Sequence, residues 1–255
     1  MAQLLVGTSG YSYSDWVGPV YPEGTAGRDF LSHYAGLFSF TELNFSYYRQ
    51  PTREQLESIA NRAGAGFTFT VKAHRSLTHD RGEGWEHEAE RFAVALPEVH
   101  GVLLQFPFSF HYTAANRRYL ASVTDALAGR RLFVEFRNSE WNQGSVFREM
   151  ERRKLGLVIP DLPRLDGLPS ISPRLTSAHG YLRFHGRNQE SWWSGTNITR
   201  YDYRYTTAEL QSWVDPVLDL AAGAETIAIA FNNHFQGQAV ANAQEFAGML
   251  GVSAA

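Results

Sequence analysis

Residues 67–74, with the sequence FTFTVKAH, decide how the chain folds. Successive side chains of a β-strand point to opposite faces, so the alternation of apolar and polar residues predicts an extended segment with two different faces. One of these faces ends in Lys72 and His74. The segment therefore predicts a strand that begins in a core and ends at a polar surface.

The same pattern recurs along the whole chain. Other apolar runs occupy residues 4–8, 40–44, 102–106, 132–136, 155–159, 181–185 and 226–231. Amphipathic segments predict helices at residues 29–37, 52–63, 86–95, 114–127, 145–154, 207–220 and 239–250. Eight strands alternating with about seven helices predict an α/β fold, a (β/α)8 TIM-like barrel that forms a single domain over residues 1–255.

Two details bear on this fold. Residues 160–179 hold four of the chain's ten prolines, which predicts that the sixth helix is irregular or missing. A doubly wound sheet is the alternative architecture. It would need a glycine-rich turn that opens directly into a helix, whereas Gly7 and Gly10 are followed by an aromatic loop. The barrel is therefore favoured, and no organic cofactor is expected, because no nucleotide-binding motif is present.

Composition excludes several classes of protein. The 255 residues include no cysteine, carry a net charge of -3 and are 44% hydrophobic, which excludes a disordered chain and a disulfide scaffold. No apolar run reaches the ~20 residues of a membrane span, and no signal peptide precedes the first strand. We expect a cytoplasmic protein without membrane contact. The slightly acidic balance argues against extended contact with nucleic acid.

The predicted strand ends carry the candidate site, because barrels of this class place their chemistry at the C-terminal ends of the strands. Five ionisable residues lie at this mouth: Glu42, Lys72, Glu135, Arg137 and Arg183. Three cations against two carboxylates favour an anionic or carbonyl-bearing small-molecule ligand. Lys72 is one of only two lysines, and it could act as a proton shuttle, a Schiff-base nucleophile or an anion anchor. The alternative is an ion pair with Glu42 or Glu135.

Short motifs throughout the chain resemble those of the YecE-like family, a group of TIM barrels of unknown function. They are GTSGY (7–11), ELN (42–44), YYRQP (47–51), FTVKA (69–73), LLQFP (103–107), EFR (135–137), YLRFHGR (181–187) and FNNH (231–234). The resemblance implies the barrel fold and no assigned activity or cofactor. It also marks motif positions, most of which the strand alternation identifies independently.

These observations predict an enzyme that acts on a small polar, anionic metabolite by hydrolysis or by proton transfer of the lyase or isomerase type, without a metal. The predicted catalytic residues are Glu42, Lys72, Glu135, Arg137 and His185. The predicted substrate-binding residues are Asn44, Arg49, His74, Gln105, Trp141, Arg183, Arg187, Asn232 and Asn233. Trp192 and Trp193 would cover a ring or exclude water.

Two other functions are also compatible with the sequence. Histidines and carboxylates near the strand ends would also suit a metal-dependent hydrolase of phosphoesters or nucleic acid, although no HExxH motif is present and arginines lie between the candidate ligands. Aromatic loops at residues 11–21 and 186–205 would suit a non-catalytic binding module.

Overall fold

Eight parallel strands close into a barrel in the computed structural model, which describes residues 2–252. They are β1 (Gln3–Ser9), β2 (Phe40–Leu43), β3 (Thr68–Lys72), β4 (Gly101–Gln105), β5 (Leu132–Glu135), β6 (Gly156–Asp161), β7 (His179–Phe184) and β8 (Thr226–Phe231). Each strand pairs with the next, and β8 closes on β1 with Thr226 opposite Gln3. The predicted TIM-like barrel is confirmed, and each predicted strand lies within two residues of the observed one.

Helices surround the strands. They are α1 (Phe30–Ala35), α2 (Phe45–Tyr48), α3 (Arg53–Ala63), α4 (Trp85–Ala95), α5 (Ala114–Ala126), α6 (Gly144–Arg153), α7 (Asn197–Arg200), α8 (Thr207–Gln211), α9 (Val214–Gly223) and α10 (Gln238–Met249). The single helix predicted over residues 207–220 is wrong, because the chain forms α8 and α9 there. Pro216 lies in the first turn of α9, where its missing N–H is tolerated, and it could not continue the hydrogen bonds of α8.

No helix forms in residues 162–178, between β6 and β7. The prolines of this connection remove backbone donors, and Leu168 and Ile171 are buried within it. The predicted loss of the sixth helix is confirmed. Within residues 2–252, no helix combines the length and the apolar character that crossing a membrane requires.

The inside of the barrel is built in layers that position the site. Phe40, Phe133 and Tyr181 belong to the buried cluster inside the barrel, with the Tyr181 ring centroid 4.9 Å from that of Phe133. Side chains two residues further along a strand return to the same face. The next inward layer is therefore Glu42, Glu135 and Arg183, directly above an apolar floor.

Candidate active site

The inner layer is an ionic network that we call the floor network: Glu42, Glu135, Arg137, Arg183 and His185. Arg183 donates from Nη2 to Glu42 Oε1 at 2.6 Å and from Nη1 to Glu135 Oε2 at 2.5 Å, and the three side chains are at most 2% exposed. Tyr181 donates its hydroxyl to Glu42 at 2.5 Å from the layer below. Buried carboxylates of this kind are tolerated because cations and donors surround them.

Glu135 also holds Arg137 and His185. Arg137 donates from Nε to Glu135 Oε1, and His185 Nε2 lies 3.1 Å from the same oxygen. Burial would raise the pKa of Glu135, but Arg137, Arg183 and His185 outweigh burial and hold that pKa well below its usual range. Glu135 is therefore a fixed anion and not an acid at neutral pH.

His185 is neutral in this network. Burial, reinforced by Arg137, lowers its pKa well below the ordinary value. Asn232 donates from Nδ2 to His185 Nδ1 at 3.0 Å, which leaves Nε2 to carry the proton and donate to Glu135. The imidazole thus orients its neighbours and does not titrate near pH 7.

A cavity of about 790 Å³ lies above the floor network at the C-terminal mouth of the barrel. Five cationic side chains line it: Lys72, Arg75, Arg137, Arg183 and Arg200. Among the lining residues that the structure describes there is no aspartate or glutamate. Aromatic side chains form much of the wall, namely Tyr11, Tyr13, Phe45, Tyr47, Tyr48, Phe108, Trp192, Trp193 and Tyr201.

Six predicted site residues meet at this cavity: Asn44, Lys72, Gln105, Arg137, Arg183 and Asn232. Three others, Glu42, Glu135 and His185, lie fully buried beneath it and hold the arginines in place. The residues of both groups lie at an inward-facing position of a strand or two residues beyond one. The alternation of strand side chains therefore predicts them.

Lys72 has an unusual environment for a lysine. Its Nζ donates to Gln105 Oε1 at 3.0 Å and lies 4.5 Å from the centroid of the Tyr47 ring. In the described part of the chain no carboxylate oxygen forms an ion pair with it, so the alternative of a pair with Glu42 or Glu135 is wrong. Burial, reinforced by Arg183, outweighs the attraction of the two glutamates and lowers the pKa of Lys72 to about 7.

The other predicted substrate-binding residues lie away from the cavity. Trp141 is buried in the core, stacked on Phe136 with ring centroids 4.3 Å apart. Arg49 is exposed beside a separate groove, and His74 makes a local hydrogen bond with Ser76. Asn233 and Arg187 bond to buried groups behind the mouth. Alternation fails for His74 and Arg187 because β3 and β7 end before them, and Asn233 follows the outward-facing Phe231 of β8.

Arg187 belongs to a second ionic cluster, the outer network: Asp161, Arg187, Tyr205, Glu209 and Trp213. Asp161 accepts from Arg187 Nη2 at 2.6 Å, from the Tyr205 hydroxyl at 2.6 Å and from Trp213 Nε1 at 2.9 Å. Arg187 Nη1 also donates to Glu209 at 3.2 Å. Gly186, with φ +85°, turns the chain so that Arg187 leaves the inner face. No member of the outer network lines the cavity.

The strand pattern misses several lining residues because they lie in the connections that follow the strands. Arg75 and His79 follow β3, and Arg200 and Tyr201 lie in the long aromatic connection after β7. The length of that connection and its aromatic content were the only signals in the sequence, and they indicate a covering loop without specifying which side chains turn inward.

The closed parallel barrel defines a TIM-like barrel protein. Its candidate site is the cavity at the C-terminal ends of the strands, where barrels of this class place their active sites. The chain belongs to the family described as protein of unknown function DUF72, whose sequence model matches residues 5–255. The resemblance to barrels of unknown function is thereby confirmed.

Three proteins show what this chain is similar to in sequence and in structure. The UPF0759 protein YunF of Bacillus subtilis strain 168 is 28% identical, with 98% of this chain and 95% of that protein covered. The crystal structure of a DUF72 family protein of Thermotoga maritima, TM1631, gives a TM-score of 0.91 at 34% identity over 98% of this chain and 99% of that one. A DUF72 family protein of Enterococcus faecalis, EF0366, shares the fold with a TM-score of 0.87 at 24% identity over 98% and 96% of the chains.

Proposed function

We propose that the protein is an enzyme that binds a small organic anion at the barrel mouth and moves a proton with Lys72. The observation that carries the proposal is the basic lining of the cavity, whose described residues include four arginines and Lys72 and no carboxylate. A cavity of about 790 Å³ lies within the ordinary range for small-molecule sites. A carboxylate or phosphate group would accept hydrogen bonds from guanidinium donors that have no partner in the protein.

Arg137 and Arg183 are the anion-binding groups in this proposal. The floor network fixes both guanidinium groups from below, so they are preorganised before a ligand enters. The Nε atom of Arg183 and that of Arg200 are buried without a hydrogen-bond partner. Unpaired buried donors are costly, and a ligand oxygen would satisfy them.

Lys72 is the proton acceptor because the other candidates are occupied. Glu42 and Glu135 accept hydrogen bonds from Arg183 and are shielded from the cavity, while His185 is fixed between Glu135 and Asn232. A lysine with a pKa of about 7 is partly neutral at physiological pH and suits a base poised near neutrality. This arrangement favours proton transfer over hydrolysis driven by a glutamate.

The two other functions find less support. Among residues 2–252 no group of three or more histidine, aspartate or glutamate side chains has the spacing of a metal site, and the candidate ligands are paired with arginines that repel a cation. A binding module would use the same cationic and aromatic lining, so conversion of the bound compound separates it from an enzyme.

A thermal-shift screen of carboxylates and phosphates tests the proposal, with Arg137→Gln and Arg187→Gln as a matched pair. Both arginines bind a carboxylate near a strand end, but only Arg137 lines the cavity. We expect the best anion to lose about tenfold or more in affinity in Arg137→Gln, as for a lost charge-assisted hydrogen bond, and to bind Arg187→Gln unchanged.

Equal losses in the two variants, or stabilisation by neutral and cationic compounds only, would contradict the proposal. Conversion of the bound compound should vanish in Lys72→Met and rise with pH through about 7 in the unmodified protein, because deprotonation creates the base. A compound that binds tightly and is not converted would favour the binding module.

A further inference from the structure

The position of Lys72 suits a nucleophile as well as a proton acceptor. Its Nζ lies among cavity-lining residues and has one side-chain acceptor in the described structure, the neutral amide oxygen of Gln105. An amine held by a neutral acceptor, without a carboxylate, has no partner that requires it to stay charged. The nitrogen is therefore placed as a nucleophile facing an open cavity.

The charged groups around Lys72 set its protonation from every side. Arg183 from β7 and Arg137 after β5 disfavour the ammonium form, while Glu42 and Glu135 favour it from below. Tyr47 from α2 and His79 from the connection after β3 face it, and burial lowers the pKa of His79 to about 4, so that this imidazole is neutral. The arginines and the glutamates are paired with each other, so their effects on Lys72 oppose one another, and burial lowers the pKa of Lys72 to about 7.

We propose that Lys72 condenses with the carbonyl group of an anionic oxo compound, such as a 2-oxo acid, to form an imine. The inference rests on the proposed function, because Arg137 and Arg183 would hold the anionic group while the amine meets the carbonyl carbon. A desolvated lysine beside other cations is an established way to activate an amine for this reaction.

The step is balanced without any further reactant. The Nζ lone pair forms a bond to the carbonyl carbon, and the carbonyl oxygen takes up a proton to give a hydroxyl group. That hydroxyl leaves as water after receiving a second proton, and the nitrogen loses both protons to give the C=N bond. The protons released by nitrogen equal those taken up by oxygen, and one water is formed.

The chain has a built-in control, because its other lysine, Lys154, is exposed at the end of α6. The protein would be incubated at pH 7 with glyoxylate or pyruvate and sodium cyanoborohydride, which reduces an imine to a stable secondary amine. Peptide mass spectrometry then compares Lys72 with Lys154. At pH 7 about half of an amine with a pKa near 7 is neutral, against less than about one in a thousand for an ordinary lysine.

We expect Lys72 to be modified at least about tenfold faster than Lys154 at pH 7. The Lys154→Met variant should retain the modification and Lys72→Met should lose it. Equal rates at the two lysines, or no modification of Lys72 by either acid, would overturn the imine.

The same samples separate this inference from the proposed function. If Lys72 is not trapped while carboxylates still stabilise the protein in an Arg137-dependent manner, the imine fails and the anion site stands. If neither acid is trapped and no anion stabilises the protein, both proposals fail.

Discussion

The floor network and the outer network use the same chemistry at the same end of the barrel and differ in what they leave unpaired. Each joins arginine and carboxylate groups close to strand ends. In the outer network Arg187 donates to both Asp161 and Glu209, and no member of the network lines the cavity at the mouth. In the floor network Glu42 and Glu135 accept hydrogen bonds from Arg183 beneath the cavity. Arg137 and Arg183 line the cavity above them, and Arg183 Nε has no hydrogen-bond partner.

This difference shows that charge at a strand end is not by itself a sign of function. A network closed on itself supports the fold, whereas a network with surplus donors beside a cavity prepares a site for a ligand. Arg183 and Arg187 lie four residues apart on one chain segment, yet they serve these two different roles. Removing members of the two networks should therefore have separable effects on stability and on binding.

The largest effect is expected for Arg183→Met. The substitution leaves Glu42 and Glu135 buried without their shared cation, and breaking a buried pair in this way lowers the free energy of unfolding by about 3–5 kcal/mol. Urea unfolding at pH 7 measures it. A loss below about 1 kcal/mol would mean that the floor network is not the electrostatic support of the mouth.

A somewhat smaller effect is expected for Asp161→Asn in the outer network. Asp161 accepts from Arg187, Tyr205 and Trp213, and an amide would turn its NH2 group towards these donors. We expect a loss of about 2–4 kcal/mol in unfolding free energy with ligand affinity unchanged. Calorimetric titration of the best anion from the screen checks the second part. A weaker ligand affinity in the folded variant would erase the distinction between the networks.

The smallest effect has the opposite sign. The pKa of Lys72 is about 7 in the folded chain, whereas in the unfolded chain it has the ordinary, higher value of a lysine. Between about pH 7 and pH 10 the unfolded chain therefore binds more protons, and the unfolding free energy of the wild type rises with pH. Lys72→Met removes the buried charge. It should raise the unfolding free energy by about 1–2 kcal/mol at pH 6, after allowance for solvent screening, and the gain should fade near pH 10.

Urea unfolding of Lys72→Met and of the exposed control Lys154→Met at pH 6 and pH 10 gives the comparison. Stabilisation that is equal at both pH values would show that the methionine acts by apolar packing and not by removing a charge.

The sequence predicts the strands well because hydrophobic alternation is a local property. The same alternation places Glu42, Lys72, Gln105, Glu135 and Arg183 correctly on the inner face. It does not show that both glutamates are taken up by Arg183, since that depends on how β2, β5 and β7 approach across the barrel. Pairing across the interior is a tertiary property without a local signal.

Residues beyond the strand ends were less predictable. Arg187 continues the alternation of β7 on paper, but the backbone turns at Gly186, and Asn233 follows the outward-facing Phe231. Trp141 looks like a cover for a ligand, whereas its indole donates to the carbonyl of Phe110 at 2.5 Å within the core. Arg75 and Arg200 reach the cavity from the connections after β3 and β7, whose course depends on packing that the sequence pattern does not encode.

The uneven distribution of charge has a consequence for the rate at which ligands arrive. The whole chain carries -3, while the described cavity lining is cationic, so the molecule is electrically polarised towards the barrel mouth. An approaching anion is weakly repelled by most of the surface and attracted at one opening, which focuses diffusion onto it. Because the Debye length is only about 8 Å at physiological salt, this guidance acts over the last few ångströms and fades as ionic strength rises.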